Sequence, residues 1–297
     1  MFSMRIIRPA VAVAAATVLL FAQGASAMEE GDVFKDASRV AAIGGPITEI
    51  VYALGEEARL VARDSTSVFP EAALQLPDVG YMRALSPEGV LSVNPTAILA
   101  LHGSGPKEAV DVLKKASVQY IEVPDQFDRD GILLKIRVIG KALGADAKAE
   151  TLAAQVDAEI KAVEALTKDV TKRKRVLFIL SMQGGKLLAA GTDTAAAGII
   201  AMAGGVNAVD GFDGYKQLSD ESAVTAMPDL ILMMDRAGDH AALDSELLAH
   251  PAIIPTPAGQ AKAIKRMDGA FLLGFGPRTA AAAHDLAKTL YGDQIKD

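Results

Sequence analysis

The segment Gly80-Tyr81-Met82-Arg83 carries the residue types best suited to do chemistry. Tyrosine is scarce, with five in 297 residues. In an extended segment, a tyrosine and an arginine two positions on present their side chains on one side. A guanidinium beside a phenol favours the phenolate. A phenolate is a hard anionic oxygen that suits ferric iron, and tyrosine is a known axial ligand of haem iron. Spacing alone also fits a half-buried tyrosine beside an exposed arginine, which is the commoner arrangement.

Other chemistry is scarce. There is no His-Glu-x-x-His, no phosphate loop and no Gly-x-Gly-x-x-Gly after a strand. Ser181 sits in Leu-Ser-Met-Gln-Gly, which lacks the first glycine of a nucleophile elbow. The four histidines, His102, His240, His250 and His284, are scattered, and no two have helix spacing for zinc or manganese. His250 precedes a proline and reads as a turn residue, and His284 reads as a surface or packing residue of an Ala-rich helix. With no cysteine there is no disulfide, thiolate metal site or thiol nucleophile. A secreted enzyme and a metal chaperone are both disfavoured, and a binding protein that is not an enzyme is expected.

Two glutamates stand out by repetition. Leu85-Ser86-Pro87-Glu88 is followed by Pro95 and an apolar run at 97–101. Leu218-Ser219-Asp220-Glu221 is followed by Pro228 and an apolar run at 230–234. Each copy reads as an N-cap serine, a short helix with Glu in its first turn, a proline stop and a buried strand. A first-turn Glu also suits the helix dipole without any further role.

The elements that position these residues follow from the apolar pattern. Short apolar runs at 39–43, 59–62, 97–101, 118–123, 175–180, 230–234 and 263–267 read as strands, with helical patterns between them. This predicts an α/β fold of two similar lobes with mostly parallel sheets, joined by one long helix. Ile132, Leu133, Ile136, Ile139 and Leu143 mark one amphipathic face before Gly144. Leu152, Val156, Ile160 and Val163 mark a second, free of Pro and Gly, which reads as a rigid strut. The expected divisions are a leader at 1–27, a first lobe at 28–144, a linking helix at 145–170 and a second lobe at 171–297. Ligand sites in such sheets gather beyond the carboxyl ends of the strands. The loops at 102–106 and 235–240 should therefore face the cleft between the lobes.

The leader has a basic head (Arg5, Arg8), an apolar run at 10–22 and the triplet Ala25-Ser26-Ala27. That is the layout of a secretory signal peptide cleaved after Ala27. The run is too short for a hydrocarbon core, which needs roughly 20 residues. There is no cysteine at the cleavage site for a lipid anchor. Removing the two leader arginines from a chain of formal charge −7 leaves about −9. An acidic chain without a basic tract is a poor partner for nucleic acid or anionic membrane.

Residues 64–70, the run from Leu76 to Ser92, residues 189–196 and 203–208, and Gly274-Phe275-Gly276-Pro277-Arg278 resemble the substrate-binding proteins of bacterial haem importers. The likeness covers nearly the whole chain after the leader. Gly-Tyr-x-Arg before Leu-Ser-x-Glu is the part most specific to haem binders, and the rest is shared with siderophore and cobalamin binders.

The resemblance implies a bilobed, periplasmic, monomeric protein with little hinge motion that carries haem to an inner-membrane ABC permease and its ATPase. It implies that Tyr81 ligates the iron, that Arg83 supports the phenolate, and that Glu88 and Glu221 contact basic residues of the permease. Some relatives hold two stacked haems, the second through a His of the second lobe. The turn at 181–185 has no His, which favours one haem here. His102 is a candidate sixth ligand or propionate donor, although a loop histidine facing water is the plainer reading. Arg236 and Arg278 are candidates for propionate pairing, since Arg–carboxylate bonds are the strong kind, and each could equally be a surface charge. The alternative is a binder for a ferric siderophore or a corrinoid, which would not need Tyr81 beside Arg83.

Overall fold

The computed structural model describes Met1 and residues 33–235 and 243–295. The rest of the leader and the loop residues Arg236 and His240 lie outside them. The first lobe contains β1 (Val40–Ile43), α1 (Gly45–Ala53), β2 (Leu60–Arg63), α2 (Pro87–Leu91), β3 (Ala97–Leu101), α3 (Lys107–Lys115) and β4 (Gln119–Val123). Its strands are parallel in the order β2-β1-β3-β4. The central pair reads Val-Ala-Ala-Ile and Ala-Ile-Leu-Ala-Leu and is buried throughout. Continuous apolar runs of this kind suit strands covered on both faces.

Two helices follow, α4 (Arg129–Ala142) and α5 (Asp146–Thr167). Ile132, Ile136 and Ile139 of α4 and Val156, Ile160 and Val163 of α5 are buried. Gly140 permits close approach of the pair, because a Cβ there would overlap the Ala149 methyl.

The second lobe contains β5 (Arg175–Gln183), β6 (Lys186–Ala190), α6 (Ala195–Met202), β7 (Val206–Asn207), β8 (Tyr215–Leu218), α7 (Asp220–Ala226), β9 (Leu230–Asp235), α8 (Asp244–Leu248), α9 (Pro257–Ala261), β10 (Ile264–Asp268), α10 (Gly269–Leu273) and α11 (Thr279–Tyr291). Helix α5 packs on both α4 and α11. The second sheet runs β10-β9-β5-β6-β8, with β7 beside β5. Strands β10, β9 and β5 are parallel, and β6 and β8 run antiparallel.

All seven apolar runs form strands, and β6, β7 and β8 add to them. Strands β5 and β6 form a hairpin on Gly184-Gly185, both at positive φ, as a two-residue hairpin turn requires. Strand β8 is four residues long and mostly exposed, so no apolar periodicity announces it. No helix of the described residues is long and apolar enough to cross a membrane.

The lobes share more than a linker. One buried apolar cluster runs from β1 through α4 and α5 to α11, and a second covers the other face of the second sheet. At the floor between the lobes, the loop 274–278 docks on the first lobe. Arg278 grips Glu49 of α1 through two bonds, Nε to Oε2 at 3.0 Å and Nη2 to Oε1 at 2.5 Å. Its guanidinium also lies 3.6 Å from the centre of the Phe69 ring, a cation–π contact. The fully buried Lys135 ammonium donates to Asp125 at 2.6 Å and to the Phe275 carbonyl at 3.2 Å. Burial pushes the Lys135 pKa down, and Asp125 opposes that shift.

Glu49 is 7% exposed, so losing its partner would strand a carboxylate in a poorly solvated place. Arg278→Met should lower the unfolding free energy by about 3 kcal/mol, as removal of one member of a buried ion pair does. Adding Glu49→Met should recover much of that loss in urea denaturation. Losses that simply add would show that the two side chains are not coupled.

Candidate functional site

A cleft of about 620 Å³ opens between the lobes. Gly45, Leu101 and Asp125 of the first lobe and Asp193, Tyr215 and Gly269 of the second contribute to its walls. These residues follow β1, end β3, follow β4 and β6, open β8 and follow β10. In the first sheet, β2 and β3 lie on opposite sides of β1. The crevice outside the carboxyl ends of strands at such a switch point is where open α/β sheets bind ligands. The volume is typical of a pocket for one small ligand.

The first wall is organised by Asp64. Its carboxylate is fully buried and accepts from the Gly44 N–H at 3.0 Å, the Thr66 N–H at 3.1 Å and the Ser67 hydroxyl at 2.8 Å. Such a charge-assisted set ties the loop after β2 to the turn that opens α1. Next to it, Arg63 donates to Asp78 at 3.1 Å, and Asp78 accepts from the Gly80 N–H at 2.9 Å. Gly80 has φ +99°, a backbone that side-chain-bearing residues rarely adopt. The chain reverses there and presents Tyr81.

Residues 81–84 form a turn closed by the Ala84 N–H on the Tyr81 carbonyl at 2.8 Å, not the extended segment expected. Hydrogen bonding of this turn wins over strand pairing. The outcome for the side chains is similar. Met82 tucks inward, with 7% exposure, while Tyr81 and Arg83 stand exposed and both line the cleft. Among the described residues, no hydrogen bond or ion pair engages the Tyr81 hydroxyl or the Arg83 guanidinium.

The second wall carries Tyr215, which the sequence reading missed. Its ring meets Phe178 edge-on at 6.3 Å between centroids. Burial pushes its pKa up, while Ala196 N–H, the Arg83 charge and the Thr194 hydroxyl act the other way. Arg83 and Tyr215 both line the cleft, one from each lobe. Nothing in the local pattern of Tyr215-Lys216-Gln217-Leu218 could have marked it. The β5–β6 hairpin beside β8 is held by His250, whose Nδ1 accepts from the Ala252 N–H at 3.2 Å. That leaves Nε2 to donate to the Gly185 carbonyl at 2.7 Å.

The remaining candidates sit elsewhere. His102 lies outside the lining, with Nδ1 2.6 Å from Glu122, a residue that Lys114 also holds at 2.7 Å. Arg278, expected at a propionate, is occupied by Glu49 instead. Arg236 lies outside the described residues. Glu88 and Glu221 are exposed, each on a helix whose N-cap serine accepts a backbone N–H, from Gly89 at 3.2 Å and from Ser222 at 3.1 Å. The Glu88 carboxyl is held below its ordinary pKa by its own backbone N–H and by the Ser86 hydroxyl.

Among the described residues the lining has no His, Cys, Ser or Lys. Its reactive groups are phenols, two threonine hydroxyls, one guanidinium and three carboxylates. Two of those carboxylates are spent, Glu49 on Arg278 and Asp125 on Lys135. Such a site can offer an oxygen ligand and a cation to a bound molecule.

Known proteins share this architecture. The periplasmic haem-binding protein BhuT, solved with two haems, is 37% identical, with a TM-score of 0.81 over 87% of this chain and 99% of that one. The apo periplasmic haem-binding protein RhuT of Roseiflexus sp. RS-1 is also 37% identical, with a TM-score of 0.82 over 88% of this chain and 100% of that one. The ABC transporter substrate-binding lipoprotein YvrC of Bacillus subtilis is 24% identical, over 89% of this chain and 83% of its own length. The model of the periplasmic binding protein family matches residues 40–270. The chain belongs to that family.

Proposed function

We propose that this protein binds one haem in the cleft between its lobes, in the periplasm, and delivers it to an ABC importer of the inner membrane. The observation that carries the reading is the phenol of Tyr81 and the guanidinium of Arg83, both lining the cleft and neither engaged by another side chain among the described residues. The full-length likeness to BhuT and RhuT supports it. Tyr81 meets ferric iron as a phenolate, a hard anionic oxygen. The chain acts as a monomer, secreted by its leader with cleavage after Ala27. A single haem fits both the cleft volume and the turn at 181–185, which carries no His.

Tyr81→Phe keeps the ring and removes only the oxygen that meets iron. It should abolish the phenolate-to-iron charge-transfer absorption and weaken hemin binding at least tenfold, the loss of a bond to a charged partner. An unchanged ferric spectrum would remove Tyr81 from the iron. Arg83→Ala takes away the cation that lines the cleft two residues from the iron ligand. Hemin binding should weaken several-fold while the charge-transfer band stays in place. Unchanged affinity would take Arg83 out of the site.

Delivery requires matched contacts from both lobes to a two-subunit pore. Glu88 and Glu221 supply them, as exposed carboxylates at equivalent helix starts on a chain of formal charge −7. Reversing both, Glu88→Lys with Glu221→Lys, should leave hemin titration and folding stability nearly unchanged. It should strongly reduce haem-stimulated ATP hydrolysis by the reconstituted importer. The parent's stimulation should weaken with salt, because exposed ion pairs are screened beyond roughly 8–10 Å. Full stimulation by the double variant would end the docking role.

A further inference from the structure

We infer that Asp78 is a positioning residue for Tyr81, whose carboxylate sets the backbone turn that aims the phenol into the cleft. The inference rests on the haem reading, in which that phenol meets the iron.

Tyr81 is 48% exposed, and among the described residues no partner engages its hydroxyl. Its direction is therefore set by its own backbone, through the Cα–Cβ bond. That backbone is bonded on both flanks. The Gly80 carbonyl accepts from the Ser65 N–H at 2.9 Å, in the loop after β2. The Met82 carbonyl accepts from the Gly105 N–H at 2.8 Å, in the loop after β3. The bond to the Gly80 N–H comes from a side chain instead, Asp78 Oδ1 at 2.9 Å. An Asp that accepts from the N–H two residues on replaces a backbone turn bond with a side-chain one.

Gly80 is where the direction is decided. A Cβ at Gly80 would meet no atom within 4 Å, so glycine is required by the angle, φ +99°, and not by lack of room. Glycine leaves that angle as readily as it enters it, so something else must fix it. Asp78 does so, and the fold places Asp78 in turn. Its Oδ2 accepts from Arg63 Nη1 at 3.1 Å, and the same nitrogen donates to the Asp64 carbonyl at 3.0 Å. The Arg63 side chain is only 11% exposed. The backbones run together as well, with the Arg63 N–H on the Pro77 carbonyl at 3.0 Å and the Val79 N–H on the Arg63 carbonyl at 2.9 Å.

The end of β2 thus places Asp78, Asp78 bends Gly80, and Gly80 aims Tyr81. Aim and folding stability are separable here. The Asp78 side chain is 42% exposed and Gly80 is exposed, so water can replace either partner when the other is removed. Folding then loses little, in line with surface sites. What is lost is the fixed direction of the phenol, which the ligand must restore at the expense of its own affinity.

The test titrates ferric hemin into the parent, Asp78→Ala, Asp78→Asn and Tyr81→Phe, and into Asp78→Ala combined with Tyr81→Phe. Asp78→Ala should bind hemin roughly fivefold more weakly, the weight of one ordinary hydrogen bond. Its phenolate charge-transfer band should shift, because that band reports how the oxygen meets the iron. Asp78→Asn keeps an oxygen for the Gly80 N–H and should restore both affinity and band. With the phenol already gone, Asp78→Ala should cost no further affinity, since Asp78 acts through Tyr81. An unshifted band or an unchanged affinity in Asp78→Ala would overturn the proposal. So would Asp78→Asn binding as weakly as Asp78→Ala, or an equal loss in the Tyr81→Phe background. A parent protein that took up no hemin at all would instead overturn the haem reading on which the role depends.

Discussion

The grip of Arg278 on Glu49 sets the geometry on which everything else depends. Two sheets that share no strand meet over this pair and over the apolar cluster beneath it. The pair spans 229 positions of sequence, from the entrance of α11 to the middle of α1, and the Phe69 ring caps it. Lys135, reaching from α4 to the Phe275 carbonyl, adds a second tie beside it. Both ties sit over an apolar cluster continuous through the two lobes. A buried charge pair tolerates little displacement, because pulling it apart leaves each charge unsolvated. Parting the lobes at the floor would therefore break both ties.

A floor tied in this way bears on what binding costs. The Asp64 hub and the Asp78–Gly80 turn set the backbone that presents Tyr81 and Arg83 without help from the ligand. Little loop ordering remains to offset affinity, which is the advantage of a preorganised site. In the proposed reading, the receiving partner recognises the surface of the carrier, where Glu88 and Glu221 stand exposed at their helix starts.

Much of this was legible in the sequence, for a physical reason. Buried parallel strands leave continuous apolar runs, and an N-cap serine followed by a first-turn glutamate leaves a local signature. Both survive in Ser86 and Ser219 and in the strands that follow them. The Gly80 turn was legible as a site and misread in shape, since alternation cannot tell an extended Tyr-x-Arg from one curled into a turn. Arg278 was visible as a strong carboxylate partner, but not whose carboxylate it takes. Glu49 lies so far away in sequence that only the fold brings the two together. Tyr215 had no signal at all. It opens a short polar strand added to the sheet by a hairpin, and only the fold brings it to the cleft wall.

The most direct test is a titration of hemin into the purified protein without its leader, followed by visible absorbance. The account predicts a Soret change that saturates at one haem per chain, together with a charge-transfer band of phenolate-bound ferric iron. No spectral change, a ferric spectrum without that band, or an endpoint of two haems per chain would contradict it.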